Sequence, residues 1–263
     1  MTPAGAPPVS VAREAGLAVV TVDSPPLNLF DAALSDALEA AVGALEAEPP
    51  RAVLFRAEGR VVSGGVDVAL FAALAGPEEA AETFRGLVDL ARRVDRLPCP
   101  TVFAAHALCL TWAFELALAC DLIVAAQAAS FGLVEKVIGL TPAMGGTQRL
   151  AERAGSGRAK EFVMAGRPFS AAELERWNVV NRVLPDAGFD EAVRELAREL
   201  ARGPTLAHAA TKQVVRDYLE GGIEAANERV SEVAGGLFAS EDLQGAVRSF
   251  LDEGPGKATF RGA

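Results

Sequence analysis

The sequence predicts an α/β layer fold followed by an all-helical C-terminal part. Short β-branched stretches alternate with longer amphipathic stretches through at least three units, which is typical of parallel strands joined by helices. Beyond the stretch RVLPDAGFD the pattern changes, and only helices are predicted, at 189–202, 204–221, 222–238 and 240–252. We therefore place a domain boundary between residues 1–202 and 203–263.

The first predicted elements are two strands with a helix between them. The stretches LAVVTVD (17–23) and RAVLFRAEG (51–59) are typical of buried strands, and the proline pair in SPPLNLF ends the first one. Residues 32–48 repeat apolar residues at helical spacing behind Asp31, the predicted N-cap. The stretch VVSGGVDVALFAAL (61–74) predicts a glycine-containing turn that leads into a helix.

The middle of the chain continues the alternation. Residues 79–97 predict an amphipathic helix ended by PCP, TVFAAHA predicts a strand, WAFELALAC a helix and DLIVAAQ a strand. The later stretch SFGLVEKVIGLTPAMGGTQRL predicts a Phe-Gly turn and then a glycine-rich start of a helix. The N-terminal residues 1–16 show no basic region before an apolar stretch, so we expect no signal peptide and a frayed lead-in.

Charge and cysteine content restrict the function classes. A net charge of −10 over 263 residues argues against nucleic acid or an anionic membrane as a partner, so an anionic ligand would need a local basic patch. Cys99, Cys109 and Cys120 form no C-x-x-C pair, and two of them lie in an apolar run. Buried reduced thiols and a cytoplasmic location are therefore expected.

One acidic residue stands in an apolar run. Glu115 is the only charged residue between Val102 and Cys120, and an unpaired buried carboxylate is costly. A membrane span is not predicted, because PCP and the strand-like TVFAA divide the run and a central acid opposes insertion. A buried salt bridge and a catalytic acid or base both remain open.

A second acid, Glu135, also stands in an apolar stretch. It could form an exposed surface pair with Lys136. Alternatively, the fold could bring it next to Glu115, and two carboxyl groups in different surroundings can divide the roles of acid and base.

Two predicted helix starts offer backbone N–H groups. The stretch SGGVD (63–67) lies where a strand ends and a helix begins, and LTW (110–112) opens a second helix. Free N–H groups at helix N-termini bind anions, so both could donate into one oxyanion hole. The glycines of SGGVD could instead form no more than a tight turn.

Other chemistries lack their motifs. G-x-S-x-G is absent, and His106 and His208 stand among alanines, so a Ser-His triad is not predicted. His106 with Cys109 lacks the further ligands of a metal site. GSGR at 155–158 lacks the strand and glycines of a dinucleotide-binding motif.

The order of these parts resembles the crotonase family, the enoyl-CoA hydratase/isomerase superfamily. The resemblance rests on separate motifs at the family's spacings, namely VVTVDSPPLNLFD, RVVSGGVDVALF, PTVFAAHALCLTWAFELALACDLIVAA, ASFGLVEKVIGLTPAMGGTQRL, AGRPFSAAELERWNVVNRVLP and AVRSFLDEGPGKATF. It implies a spiral of repeated ββα units, a C-terminal helical region that builds a trimer or a dimer of trimers, and an acyl-CoA substrate.

For individual residues, the resemblance implies a hydration site. Backbone N–H groups of Val66 and Trp112 would bind the thioester oxygen, while Glu115 and Glu135 would hold one water and add it across a 2,3-double bond. No metal and no redox cofactor is implied. The CoA part is assigned to Arg60 and Lys257, as candidates for its phosphates, and to four residues of the SGGVD stretch, Ser63, Gly64, Gly65 and Asp67.

The chain departs from the family where a run of glycines usually precedes the first glutamate. Thr111, Trp112 and Ala113 occupy these positions, and Val134 replaces a frequent proline. The Trp112 N–H survives the replacement. Its ring either reshapes the acyl pocket or packs outward into the core. Isomerase, acyl-CoA lyase or hydrolase chemistry, and a non-catalytic acyl-CoA-binding protein in which Trp112 blocks the water site, remain the alternatives.

Overall fold

A computed structural model describes residues 7–263 as a mixed α/β fold with two sheets. The strands are β1 (Val9–Glu14), β2 (Leu17–Val22), β3 (Ala52–Ala57), β4 (Thr101–Ala105), β5 (Leu108–Leu110), β6 (Leu122–Ala126), β7 (Ser130–Gly132), β8 (Phe169–Ser170) and β9 (Arg182–Leu184). The helices are α1 (Ala32–Ala47), α2 (Ala69–Ala72), α3 (Pro77–Asp95), α4 (Trp112–Ala119), α5 (Gly146–Ala154), α6 (Ser156–Ala165), α7 (Ala171–Arg176), α8 (Phe189–Arg202), α9 (Thr205–Gly236) and α10 (Glu241–Glu253).

The large sheet confirms the predicted parallel arrangement. Its order is β1-β2-β3-β4-β6-β9, and every neighbouring pair from β2 onward is parallel. The central strands are buried almost throughout, as expected for strands covered on both faces. Asp31 caps α1 as predicted, because its side chain accepts a hydrogen bond from the Leu34 N–H at 2.8 Å.

The expectation of a frayed N-terminal lead-in is wrong for residues 9–14. These residues form β1, which pairs antiparallel with β2 along its whole length, from Val9 opposite Val22 to Glu14 opposite Leu17. The backbone hydrogen bonds to β2 order this stretch although its own composition is not typical of a buried strand. The part of the prediction that concerns residues 1–6 lies outside the described residues.

A small second sheet was not predicted. It has the order β5-β7-β8, and its strands are only two or three residues long. Phe131 and Gly132, predicted as a turn, are the last two residues of β7. Strands this short show no periodicity in sequence, which explains why they were missed.

The three cysteines are buried free thiols, as predicted.

The C-terminal helices agree with the sequence pattern. Gly222 has φ 76° and breaks α9 at the predicted junction between two helices. Lys212 of α9 ties this region to the large sheet, because its Nζ donates to the Asp121 carboxylate at 2.8 Å and to the Cys99 carbonyl at 3.0 Å. The boundary at residue 203 stays a prediction.

Among residues 7–263, no helix has both the length and the apolarity needed to cross a membrane.

Candidate active site

Three parallel segments end side by side and define the candidate site. The middle one is β5, which pairs with β7 on one side and, through a bridge between Cys109 and Ser63, with the segment after β3 on the other. Both pairings are parallel, so all three segments run toward the same edge. Beyond the Ser63–Cys109 bridge the two segments stay close, because a Cβ on Gly65 would lie 3.6 Å from the Thr111 hydroxyl oxygen, and these two residues directly precede Val66 and Trp112.

Val66 carries the one unused amide N–H of the stretch SGGVD. The N–H groups of Ser63, Gly64 and Asp67 donate to the carbonyls of Leu108, Leu27 and Phe30, and that of Gly65 donates to the Ser63 hydroxyl at 2.9 Å. The expectation that the whole stretch offers free donors at a helix start is therefore wrong. The helix α2 begins only at Ala69 and has four residues.

Trp112 supplies a second unused amide N–H, on the neighbouring segment. The residue is the first of α4, where helix geometry leaves its backbone N–H without an acceptor in its own helix, and this backbone N–H donates to none of the described residues. The two amide N–H groups thus belong to neighbouring segments that run in the same direction. Such a pair can bind one oxygen that carries partial negative charge.

Glu115 lies one turn into α4, and its carboxylate is held by backbone. The side chain is 3% exposed, and its Oε2 accepts hydrogen bonds from the N–H groups of Met144 at 2.8 Å and Gly146 at 2.7 Å. Gly146 is the first residue of α5, so the carboxylate also lies at the positive end of a helix dipole. Burial raises the pKa of Glu115, while these hydrogen bonds act to lower it.

The open interpretation of Glu115 as half of a buried salt bridge is not supported. None of the ion pairs among residues 7–263 includes it, and Arg149 adds only a distant charge. Backbone N–H groups replace the cation. The Met144 and Gly146 hydrogen bonds both go to Oε2, and the Ala143 N–H is a third backbone donor that acts on this carboxyl.

Glu135 lies just beyond the end of β7, at the start of a short 3₁₀ turn. It is buried, and its Oε2 has no hydrogen-bond partner among the described residues. Burial is the main cause that raises its pKa from 4.5 to about 7, and the charge of Glu115 contributes to the rise. The surface pair with Lys136 is not formed, because Lys136 Nζ donates to the Met164 carbonyl.

The raised pKa of Glu135 predicts a pH-dependent gain in stability for Glu135→Gln. The folded state holds the proton more tightly than the unfolded chain, so the fold loses stability as pH rises from 4.5 through about 7. Glutamine cannot ionise. We expect the free energy of unfolding of the variant to exceed that of wild type by about 3 kcal/mol near pH 9, and to equal it near pH 4, in urea unfolding at fixed protein concentration.

The matched control is Glu199→Gln on the exposed face of α8. It removes the same charge without burial, so its stability should follow wild type at both pH values. A Glu135→Gln variant that is no more stable than wild type near pH 9 would contradict the burial assigned to this carboxyl.

The Trp112 ring is part of the core wall and does not project into open space. The side chain is 4% exposed. Its Nε1–H donates to the Asn28 carbonyl at 3.2 Å, and its ring centroid lies 5.8 Å from that of Phe30. Of the two orientations left open by the sequence, the structure shows the ring packed into the core.

Thr111, between β5 and α4, has a strained backbone. Its φ of 49° and ψ of −117° are unusual for a β-branched residue, and its buried hydroxyl oxygen has no hydrogen-bond partner in the described part of the chain. Its side chain lies against Gly65, because a Cβ on that glycine would sit 3.6 Å from the Thr111 hydroxyl. The threonine therefore fills the space between the two donor segments.

We expect Thr111→Gly to raise the free energy of unfolding by about 1 kcal/mol. The change removes the backbone strain and the buried hydroxyl without a partner, and each of these destabilises the fold by about 1–3 kcal/mol. This gain exceeds the two costs of the change, which are the lost packing of the side chain and the greater entropy of a glycine in the unfolded chain. Thr111→Val removes the hydroxyl but keeps the strain, so it should be less stable than Thr111→Gly in the same urea titration. The reverse order would show that this backbone is not strained.

The other predicted binding residues have different surroundings. The Ser63 hydroxyl accepts from Gly65, and an Asp67 carboxylate oxygen accepts from the Ala69 N–H at 3.0 Å, so both side chains hold the local backbone. The amides of Gly64 and Gly65 are also used internally. Arg60 and Lys257 are exposed, and no contact between them joins the two cations into one patch. Their role toward CoA stays a prediction.

The sequence did not reveal the groups that hold the predicted residues. The Met144 and Gly146 amides anchor Glu115, and a Cβ on Gly146 would lie 2.7 Å from the Glu115 Cγ, so only glycine fits there. The glycines of MGG were a weak signal for this close approach. The contacts of Asn28 and Phe30 with Trp112 could not be predicted from the sequence. A backbone carbonyl that accepts a hydrogen bond, or a contact between two rings distant in sequence, produces no local motif.

The chain is similar to known proteins over its full described length. Residues 12–261 match the family model described as enoyl-CoA hydratase/isomerase. A probable enoyl-CoA hydratase of Bacillus subtilis is 28% identical over 97% of this chain and 98% of its own. A carnitinyl-CoA dehydratase of Salmonella heidelberg is 35% identical over 81% of each chain. The crystal structure of a putative enoyl-CoA hydratase from Streptomyces coelicolor A3(2) covers 100% of both chains with a TM-score of 0.91 at 29% identity.

These similarities, with the two-sheet α/β core and its helical C-terminal region, define an enzyme of the crotonase class. The chain belongs to the enoyl-CoA hydratase/isomerase family.

Proposed function

We propose that this protein hydrates 2-enoyl-CoA thioesters to 3-hydroxyacyl-CoA. The observation that carries the proposal is a pair of buried carboxyl groups, Glu115 and Glu135, near enough for the charge of the first to act on the pKa of the second. Two amide N–H groups without an acceptor among residues 7–263, those of Val66 and Trp112, lie on the neighbouring segments. The thioester oxygen would accept hydrogen bonds from the Val66 and Trp112 amides. The two carboxyl groups would then hold a water molecule at the double bond.

Glu115 is proposed as the group that orients and activates the water. Its Oε2 is fixed by two N–H groups near the start of α5, which offset part of the effect of burial on its pKa, and Oε1 is proposed to accept the proton from water. The water oxygen attacks C3 of the enoyl group. As this bond forms, electrons move toward the thioester oxygen, where the two amides stabilise the developing negative charge.

Glu135 is proposed as the proton donor to C2. A pKa of about 7 keeps a substantial fraction of this carboxyl protonated near neutral pH. The two carboxyl groups differ in hydrogen bonding, since Glu115 Oε2 accepts from two backbone N–H groups and Glu135 Oε2 has no partner among residues 7–263. We propose that this difference assigns the role of base to Glu115 and that of acid to Glu135. Water gives one proton to Glu115 and its hydroxyl group to C3, while Glu135 gives its proton to C2. Return of the proton from Glu115 to Glu135, through the solvent that replaces the product, restores both groups, so the net change is addition of one water.

The substrate is proposed to be an acyl-CoA without further cofactor. Every step uses the two carboxyl groups, the two amides and water, and the mechanism calls for no metal or redox group. Among residues 7–263, no cluster of three or more side chains that could ligate a metal is present. The exposed residues Arg60 and Lys257 are the proposed contacts for the CoA phosphates.

The direct test is turnover by the purified full chain on 2-enoyl-CoA substrates of increasing length. We expect loss of the conjugated thioester chromophore with at least one chain length. Absence of hydration at all lengths, with binding of the thioester intact, would support the non-catalytic alternative in place of the proposed function. A changed double-bond position without added water would support an isomerase.

Dehydration of a 3-hydroxyacyl-CoA is a second candidate. The carnitinyl-CoA dehydratases are 34–35% identical to this chain, against 28% for the Bacillus subtilis relative. The same acid and base serve both directions of one reaction. Parallel rates on carnitinyl-CoA and on an unsubstituted 3-hydroxyacyl-CoA would show which acyl group this site prefers.

A homotrimer or a dimer of trimers is proposed as the assembly. The C-terminal helices expose large apolar side chains that a monomer would leave in water. These exposed side chains include Val215, Tyr218, Leu219, Ile223, Phe238, Phe250 and Leu251. Such clustered exposure is typical of a protein interface. Sedimentation equilibrium should give three or six times the monomer mass.

A further inference from the structure

The side chain of Trp112 joins the first turn of α4 to the loop between β2 and α1. Its Nε1–H donates to the Asn28 carbonyl at 3.2 Å, and its ring packs against Phe30 with the planes tilted by 40°. All three residues are buried, with exposed fractions of 3–4%. A buried hydrogen bond of this kind fixes the ring in one orientation, because an unpaired indole N–H would be costly.

The loop that receives the indole is itself held firmly. The Asn28 side chain accepts from the Ser24 N–H at 2.7 Å and donates to the carbonyls of Glu58, Val61 and Val62 at 3.0–3.2 Å. These bonds attach the loop to the chain just ahead of Ser63. The Asn28 carbonyl is therefore a fixed acceptor for the indole.

The same loop holds the backbone on both sides of Val66. The Phe30 N–H donates to the Gly65 carbonyl at 3.0 Å, and the Phe30 carbonyl accepts from the Asp67 N–H at 2.9 Å. The Trp112 ring therefore packs against Phe30, whose backbone is hydrogen-bonded to both sequence neighbours of Val66, the first amide donor. The backbone of Trp112 itself carries the second donor.

We propose that the Trp112 side chain is a positioning residue that fixes the separation of the Val66 and Trp112 amide donors. The inference rests on the proposed function, in which both amides bind the thioester oxygen. The two donors belong to segments whose direct pairing ends at Ser63, three residues before Val66. The indole supplies a second connection beyond this point. A misplacement of about 1 Å between catalytic groups can lower the rate by about 100-fold.

The test compares Trp112→Phe with Trp177→Phe, the same change at the only other tryptophan. Trp177 packs against Phe169 and under Arg158, away from the donors. We expect Trp112→Phe to lower kcat about tenfold with KM within about twofold, since the donors act mainly on the developing oxyanion. Trp177→Phe should keep wild-type values.

A spectroscopic measurement separates positioning from general loss of structure. Bound butanoyl-CoA, labelled with ¹³C at the carbonyl, reports the strength of both donor bonds through its C=O stretching frequency. We expect a smaller red shift in Trp112→Phe than in wild type and in Trp177→Phe. Phe30→Leu weakens the contact between the rings of Phe30 and Trp112 without changing either donor residue. It should therefore also give a smaller red shift than wild type, and it replaces Trp112→Phe in the test if that variant does not fold.

The outcomes keep the two proposals apart. Equal kcat and equal carbonyl shift in Trp112→Phe, Phe30→Leu and Trp177→Phe would overturn the positioning role, while wild-type hydration would leave the proposed function intact. If wild type polarises the carbonyl but adds no water, the proposed function fails and the carbonyl shifts still decide the role of Trp112. If wild type binds no acyl-CoA, both fail.

Discussion

Glu115→Gln should lower kcat for hydration by about 10²–10⁴-fold, the usual contribution of a general base. Glutamine has nearly the same shape, and its side-chain oxygen can still accept from the Met144 and Gly146 amides that hold Oε2. The fold should therefore persist while the ability to take a proton from water is lost. Steady-state kinetics on the best 2-enoyl-CoA substrate, with circular dichroism as a check of folding, gives the answer.

Glu199→Gln is the control for the loss of one negative charge. Glu199 lies on the exposed face of α8, far in sequence from the site, so its kcat should match wild type. If Glu115→Gln kept more than about a tenth of wild-type kcat, Glu115 would not be the base, because a residue in that role contributes at least about 100-fold.

Val66→Pro should lower kcat by about 10²–10³-fold, because proline has no N–H to donate to the thioester oxygen. Val66→Ala keeps the N–H and loses only side-chain volume, so it is the matched control and should stay within a few-fold of wild type. The neighbouring bonds from Phe30 to Gly65 and Asp67 do not involve the Val66 N–H and can remain.

A backbone ester between Gly65 and Val66 provides the same test without a change of side chain. It removes the N–H and leaves valine in place, so its loss of kcat should resemble that of Val66→Pro. A folded ester variant with wild-type kcat would show that the Val66 amide is not a donor in the reaction.

The layer fold could be predicted because long elements carry periodic patterns. The parallel strands β2, β3, β4 and β6 and the capped helix α1 all appear in the sequence as expected. The short strands β5 and β7 could not be predicted, since three residues show no period. These short strands are the ones that bring the donor segments and the carboxyl groups to one edge.

The roles of the two acids and of the Val66 and Trp112 amides stay predictions, and the surroundings of these groups could not be predicted from the sequence. Glu115 and Glu135 stood out because charge in an apolar run is unusual. The use of the Gly64, Gly65 and Asp67 amides inside the fold depends on partners far away in sequence, such as Leu27 and Phe30. The direction of the Trp112 ring likewise depends on tertiary contacts.

Product analysis after incubation of a 2-enoyl-CoA in H₂¹⁸O separates hydration from every other reaction considered for this site. We expect a product heavier than the substrate by one labelled water, with ¹⁸O on C3 by NMR and mass spectrometry, and almost none of it with Glu115→Gln. An isomer of unchanged mass, release of free CoA, or bound substrate recovered without any change would contradict hydration by this pair of glutamates.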